Sequence, residues 1–258
     1  MIILPDIHGR TFWKEAVAQK EDNEKVIFLG DYLEPYSNYE PITHKDAYLN
    51  FLEILEYKKN HMDDCVLLLG NHDFACISDD MISCRHDYKN GKRNTKLFND
   101  NMSLFRLIYV VKCGKKQTYM LSHAGVHYAW ADSVIDDFSN DPEDICKQIN
   151  AYFDMPDNEK RKYERRCLNV VSRYRAGWMG GPFGSCIWAD VREWEDKEVF
   201  PNTYQIFGHT QLSEGPIITD WFAELDCRCA FRLNTEKKCK NMKDRIEQIT
   251  FENKDGKQ

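Results

Sequence analysis

No uninterrupted apolar run in these 258 residues approaches the roughly 20 residues that cross a bilayer, which removes the membrane-spanning helix classes. The opening Met-Ile-Ile-Leu-Pro-Asp has neither the basic stretch nor the long apolar core of a secretory leader, so export is not expected. A positive balance is missing as well. Lys and Arg number 35 against 42 Asp and Glu, a net charge of −7, which argues against a broad nucleic-acid surface. The basic clusters at Arg161–Arg166 and Lys237–Lys240 read as solvated faces. Phosphate-bearing substrates are not excluded, because bound divalent cations would invert the local field. Ten cysteines are present without the spacing of small stapled loops, so reduced, buried or half-buried thiols and a cytoplasmic location are the expectation. Cys227-Arg-Cys229 lacks the second pair of a zinc knuckle, and Cys76 with Cys84 does not supply one. Internal repeats, low-complexity tracts and a clear linker are all lacking. One domain over 1–258 is expected, and 42% hydrophobic and 13% aromatic residues suffice for a substantial core.

What is present is a succession of short apolar runs that each end on polar residues. Met1–Leu4 reads as a strand running into Pro5-Asp6, followed by a helix near Thr11–Gln19 with Thr11 as its cap. Lys25–Leu29 is a second strand stopping at Gly30-Asp31, and Thr43–Lys59 carries apolar residues at helical spacing. Cys65–Leu69 is a third strand, ending at Gly70-Asn71. Strands flanked by helices bind ligands beyond their carboxyl ends. Helical text follows at Phe74–Ser83 and Leu97–Phe105, then a hairpin of Leu107–Lys112 and Gln117–Ser122 around Cys113-Gly114. A charged helical insertion or cap is expected over about 132–170, and a loop over Gly177–Gly184. Strands are expected at Thr203–Phe207, Pro216–Thr219, Trp221–Leu225 and Cys229–Leu233.

Five of those strand ends carry metal-binding side chains: Asp6-Ile-His8-Gly9, Gly30-Asp31, Gly70-Asn71-His72-Asp73, Ser122-His123-Ala124-Gly125 and Gly208-His209-Thr210. In extended chain alternate residues point the same way, so Asp6 and His8 offer a carboxylate and an imidazole together. Oxygen and imidazole donors suit divalent cations that activate water, with one anionic oxygen shared between two ions. Asp31 would bridge, Asn71 would add a neutral oxygen, and His123 with His209 would complete a second ion. Glycine beside each permits the tight turns and close backbone approach such a site needs. His72, next to Asn71, is the natural general acid for a departing alcohol, oriented by a carboxylate. Each motif alone has an ordinary structural reading as turn, cap or core histidine; five in this order, each at a strand end, do not.

These motifs resemble the calcineurin-like metallophosphoesterases, most of all the branch holding the serine/threonine protein phosphatases and diadenosine tetraphosphatases. The resemblance spans nearly the whole chain. It implies a four-layer αββα sandwich of two mixed sheets flanked by helices. It also implies two divalent metal ions, manganese foremost, with iron, zinc or nickel as alternatives. By motif position Asp6 and His8 hold the first ion, Asp31 bridges, Asn71, His123 and His209 hold the second, and His72 is the catalytic histidine. Ile187-Trp-Ala-Asp190 is similar to the tryptophan segment that precedes the branch's final histidine.

The departures fall where phosphate is gripped. The protein phosphatases continue their second motif with Asp-Arg, where this chain has Glu34-Pro35. Glu34 is the candidate to orient His72. Pro35 cannot bind phosphate, so Arg175, Arg10 and Arg192 become candidates, Arg175 first for its place beside the glycine-rich loop. Gln211 stands where many phosphodiesterases of the wider superfamily carry a second histidine, which favours the phosphatase branch. Tyr32, Tyr36 and Tyr39 either wall the cleft or pack their own loop. The expected activity is hydrolysis of phosphate esters on a phosphoprotein, small ester or nucleotide, with no membrane partner. A dinucleoside polyphosphate hydrolase is the alternative, a nuclease ranks below it, and a metal-binding interaction module without catalysis is the rival from another class.

Overall fold

The computed structural model describes residues 1–78, 87–113, 117–194, 199–235 and 241–251. The first half alternates strand and helix: β1 (Ile2–Leu4), α1 (Phe12–Ala18), β2 (Val26–Phe28), α2 (His44–Asn60), β3 (Cys65–Leu68), α3 (Asn71–Ile77) and α4 (Gly91–Asp100). Then come β4 (Phe105–Arg106), β5 (Ile108–Cys113), β6 (Gln117–Ser122), α5 (Tyr128–Val134), α6 (Pro142–Asn150), α7 (Asp157–Tyr163) and α8 (Arg173–Ala176). The last quarter holds β7 (Thr203–Phe207), β8 (Ile217–Ile218), β9 (Phe222–Glu224), β10 (Phe231–Leu233) and β11 (Ile246–Gln248).

The strands form two mixed sheets, ordered β11-β10-β1-β2-β3-β4 and β5-β6-β7-β9-β8. The middle of each is parallel, with antiparallel strands at β10, β11, β5 and β8. Period-two alternation sends successive side chains to opposite faces. Ile3, Ile27 and Leu68 of the first sheet meet Tyr119, Leu121, Tyr204 and Ile206 of the second in one dry cluster between the sheets. Ile2, Leu4, Val26 and Phe28 turn outward to Trp13, Phe51 and Ile54 of α1 and α2. On the far side Met120 of the second sheet shares a core with Trp130, Ile145 and Ile149. The result is an α/β fold of two mixed sheets with helices outside.

Local signals explain the long elements. Thr43 and Asp46 close a full capping box on α2, each side chain bonding the other's backbone N–H. Thr11, by contrast, makes no side-chain capping bond to α1. In the helical text around 97–105 the helix ends at Asp100, having begun at Gly91, and Phe105–Arg106 pairs with β3 as an edge strand. The strands β4 and β11 are too short to carry a pattern of their own. Within 132–170 the helices bury apolar residues against β5; Asn150 bonds the backbone of Leu107 and Ile108. Of the sequence features named above, Cys84, Gly114, Lys237–Lys240 and the end of Phe74–Ser83 lie outside the described residues.

Candidate metal centre

Register decides which side chains meet. Leu4 is level with Phe28 and Phe28 with Leu67, so Asp6, Asp31 and Asn71 emerge two, three and four residues beyond one line across three parallel strands. In the second sheet Leu121 is level with Ile206, and His123 and His209 follow two and three residues on. Both groups leave the sheets at the same end. Three of the six candidate ligands, His8 (φ 46°), Asp31 (φ 54°) and His209 (φ 77°), hold left-handed backbone conformations, as does Glu34 (φ 63°). Such strain in residues with a Cβ persists where the surroundings enforce it, and it clusters at functional sites. Gly70 shows the crowding: a Cβ there would collide with Asp31 Oδ1 and lie 2.7 Å from His123 Cε1.

Two donor groups share one carboxylate. His8, Asp31 and His72 offer ligand atoms within 4.8 Å of one another, and so do Asp31, His123 and His209. Asp31 Oδ2 lies 3.5 Å from His8 Nε2 and 3.6 Å from His123 Nε2. Asn71 Oδ1 and His209 Nδ1 sit 3.0 and 3.1 Å from that same His123 nitrogen. Asp6 stands slightly apart. Its Oδ2 is 3.9 Å from His8 Nε2, and its Oδ1 accepts the backbone N–H of His209 at 3.0 Å, tying the first strand end to the last.

The rings are aimed by backbone carbonyls. His123 Nδ1 faces the Leu29 carbonyl at 3.0 Å, and His8 Nδ1 faces those of Leu33 and Glu34 at 3.1 Å. A carbonyl only accepts, so each Nδ1 carries the proton and each Nε2 is left a bare lone pair, the tautomer of a metal ligand. Burial holds His123 down to about 3 and, aided by Arg175, holds His209 well below the usual imidazole range, so both rings are neutral. His123 Nε2 is therefore an acceptor within reach of His209 Nδ1, and Asn71 Oδ1 and Asp31 Oδ2 converge on the same point.

Charge tells the same story. Burial pushes Asp31 well above the usual carboxylate range, and repulsion from Asp6, Asp73 and Asp226 adds to it. Burial likewise raises Asp6 to about 6 and Asp73 to about 7. Converging lone pairs and mutually repelling carboxylates are what a divalent cation satisfies. The residues present fit a metal pair that shares Asp31.

His72 sits beside this centre. Its backbone N–H donates to Asp31 Oδ1 at 3.0 Å, and its ring meets His8 edge to face with centroids 5.2 Å apart. Glu34 gives its carbonyl to His8 and its carboxylate to the N–H of Asp87 at 3.0 Å. The three arginines differ. Arg10 is buried, clamped by Glu40 at 2.9 Å and donating to the Asp6 carbonyl. Arg192 is exposed and paired with Asp190 at 2.7 Å. Arg175 reaches the loop of the candidate ligand His209, donating to Thr210 Oγ1 at 2.9 Å and the His209 carbonyl at 3.3 Å, with Asp190 behind it. Gln211 turns to solvent. The tyrosines divide: Tyr32 is fully buried on Phe51, Tyr36 edges His8 at 4.8 Å, and Tyr39 projects outward.

Sequence reasoning passed over three carboxylates. Asp73 accepts the N–H groups of Asp31, Tyr32 and Gly70 at 2.8, 3.0 and 2.8 Å, fixing the loops that present Asp31 and Asn71. Glu224 and Asp226 are buried, and Glu224 Oε2 and Asp226 Oδ1 have no partner among the described residues. Burial raises both well above their usual range, and Asp6 raises Asp226 further. A signal existed: Phe222-Ala-Glu-Leu-Asp226 sets two acids in an otherwise apolar strand end.

Comparison with known proteins matches residues 2–211 to the calcineurin-like phosphoesterase family. No curated protein matches the chain. Among solved structures, a cold-active protein-tyrosine phosphatase of a psychrophile, Shewanella sp., superposes with a TM-score of 0.57 and 13% identity, over 96% of this chain and 80% of that one. A protein serine/threonine phosphatase from Saccharomyces cerevisiae gives a TM-score of 0.52 and 13% identity, over 97% and 78%. At that identity the likeness is one of fold. The family match, covering most of the chain and every strand end that carries a candidate ligand, makes this protein a calcineurin-like phosphoesterase, a hydrolase of phosphate esters.

Proposed function

We propose that the protein is a phosphomonoesterase working on phosphorylated protein or small phosphate esters with two divalent cations, manganese foremost. The observation that carries this reading is that two groups of candidate ligands share Asp31, whose Oδ2 lies 3.5 Å from His8 Nε2 and 3.6 Å from His123 Nε2. Asp6, His8 and Asp31 would hold the first ion, and Asp31, Asn71, His123 and His209 the second. Bound there, the ions supply a nucleophile at neutral pH and neutralise phosphate charge. The protein's own part is to aim and to move a proton. Arg175, fixed by Asp190 and Thr210, offers its guanidinium to the phosphate oxygens where Pro35 cannot. His72 gives the proton to the departing oxygen. Glu34 acts through His8, holding that ring by its carbonyl. Arg10 steadies the Asp6 loop from behind.

Purified protein loaded with manganese should hydrolyse p-nitrophenyl phosphate faster than its bis ester. Asp31→Asn should lose both bound metal and turnover. His72→Asn should keep the metal and lose about 100-fold in kcat; full turnover in that variant removes His72 from the chemistry. A wild type that binds metal and cleaves no monoester, diester or anhydride overturns the proposal in favour of a metal-binding interaction module.

A further inference from the structure

The chain between Ser172 and Gly181 leaves the body of the protein and returns at one point. Those two residues form a β-bridge; Arg173 N–H donates to the Gly181 carbonyl at 2.9 Å and Gly181 N–H to Val171 at 2.8 Å. Gly180 tightens the neck, because a Cβ there would stand 2.6 Å from the Arg173 backbone. Ser172 Oγ accepts the Tyr174 N–H and starts the short α8. Residues 173–180 are thus a stapled projection with two sides.

Its inner side delivers Arg175 to Thr210 and to the His209 carbonyl. Its tip does the opposite of what apolar side chains prefer: Trp178 is 93% exposed and Met179 73% exposed. No large apolar side chain among the described residues is more exposed than Trp178. On the same projection Tyr174 has the guanidinium groups of Arg173 and Arg192 over its ring, 5.6 and 4.9 Å from the ring centre. Trp178 follows Arg175 by three residues through the end of α8 and a 3-10 turn, roughly 5–6 Å along the axis. That is the span from a phosphorus atom to the far side of a ring attached to it.

Resting on the phosphoesterase reading above, we propose that Trp178 stacks on a planar aromatic group carried by the substrate's phosphate, with Met179 beside it. The enzyme then favours ring-bearing phosphates over aliphatic ones. An indole presents a flat face that pairs with any π system, and arginines beside it attract the phosphate oxygens. A protein partner is disfavoured, because one Trp and one Met fall far short of the roughly 800 Å² per side of a specific interface. An anionic membrane is disfavoured by the net charge of −7.

The test measures KM and kcat for phenyl phosphate, adenosine 5′-monophosphate and glycerol 2-phosphate in wild type, Trp178→Ala and Trp178→Phe. Trp178→Ala should raise KM about tenfold for the ring-bearing substrates, at least fivefold more than for glycerol phosphate, acting on KM rather than kcat. Trp178→Phe should restore most of it. A rise for phenyl phosphate alone or for the nucleotide alone identifies which ring the loop serves. Equal effects on all three substrates, or none, overturn the proposal. Phenylphosphonate, which is not hydrolysed, should quench tryptophan emission in wild type and not in Trp178→Ala. If no substrate turns over, the phosphoesterase reading fails, and the quenching result still decides the stacking.

Discussion

Asp73→Asn probes how much of the site is held from behind. The Asp73 carboxylate accepts three backbone N–H groups, from Asp31, Tyr32 and Gly70, at 2.8–3.0 Å. Whichever way the replacement amide turns, at least one of them meets an NH2 group and loses its acceptor. A buried donor left unsatisfied costs about 1–3 kcal/mol, and the remaining bonds lose their charge assistance, roughly another 1 kcal/mol. An opposing effect exists, because Asp73 is among the charges that raise Asp31. Relief of that repulsion offsets the lost charge assistance. The hydrogen bonds win, leaving a net loss of about 2 kcal/mol. At this chain length that is a fall in Tm of roughly 4–8 °C. Melts are run in chelator at pH 8, above the value of about 7 to which burial raises Asp73, so that wild type carries the ionised form. Titration calorimetry on the same variant should show manganese bound about tenfold more weakly or worse, since the loop presenting Asp31 and Asn71 is loosened. A Tm within 2 °C of wild type together with unchanged manganese affinity would refute the reasoning.

The pH dependence of metal binding follows from the same burial. In metal-free protein Asp6 is raised to about 6, so it is largely protonated at pH 5, and burial shifts Asp31 in the same direction. His123, held down to about 3, is already neutral and releases nothing. The proton lost on binding comes from carboxyl groups, and manganese affinity should climb between pH 5 and 7, by up to about tenfold per pH unit for each proton released. Calorimetry in buffers of different ionisation enthalpy counts those protons, and a flat profile would contradict the assignment. Gly70→Ala places a methyl group against Asp31 Oδ1 and His123 Cε1. It should lower metal content measured by elemental analysis and cut turnover about 100-fold; full metal stoichiometry in that variant would refute the packing.

Much of the candidate site was legible because potential metal-binding side chains at parallel strand ends leave a local trace. An apolar run, a glycine and a donor can be read within a few residues, as at Leu29-Gly30-Asp31 or Leu69-Gly70-Asn71. The helix after Thr43 was legible for the same reason, with its cap and its apolar spacing both local. Asp73 was not, because it does its work on N–H groups 41 and 42 residues away. Among Arg10, Arg175 and Arg192 the sequence ranked Arg175 first by its place beside the glycine-rich loop, but it did not show what each guanidinium touches. Only their partners, Glu40, the His209–Thr210 loop and Asp190, separate them.

By itself the sequence determined which donors exist and that each stands at the end of a strand, because strand periodicity and glycine turns act over a handful of residues. Tertiary structure alone decided that those ends are level. Parallel pairing of β1 with β2, of β2 with β3 and of β6 with β7 aligns the ends within each sheet, and packing of the two sheets brings together residues 203 apart, Asp6 and His209. Register of that kind is set by the packing of both sheets at once, and no stretch of chain carries it.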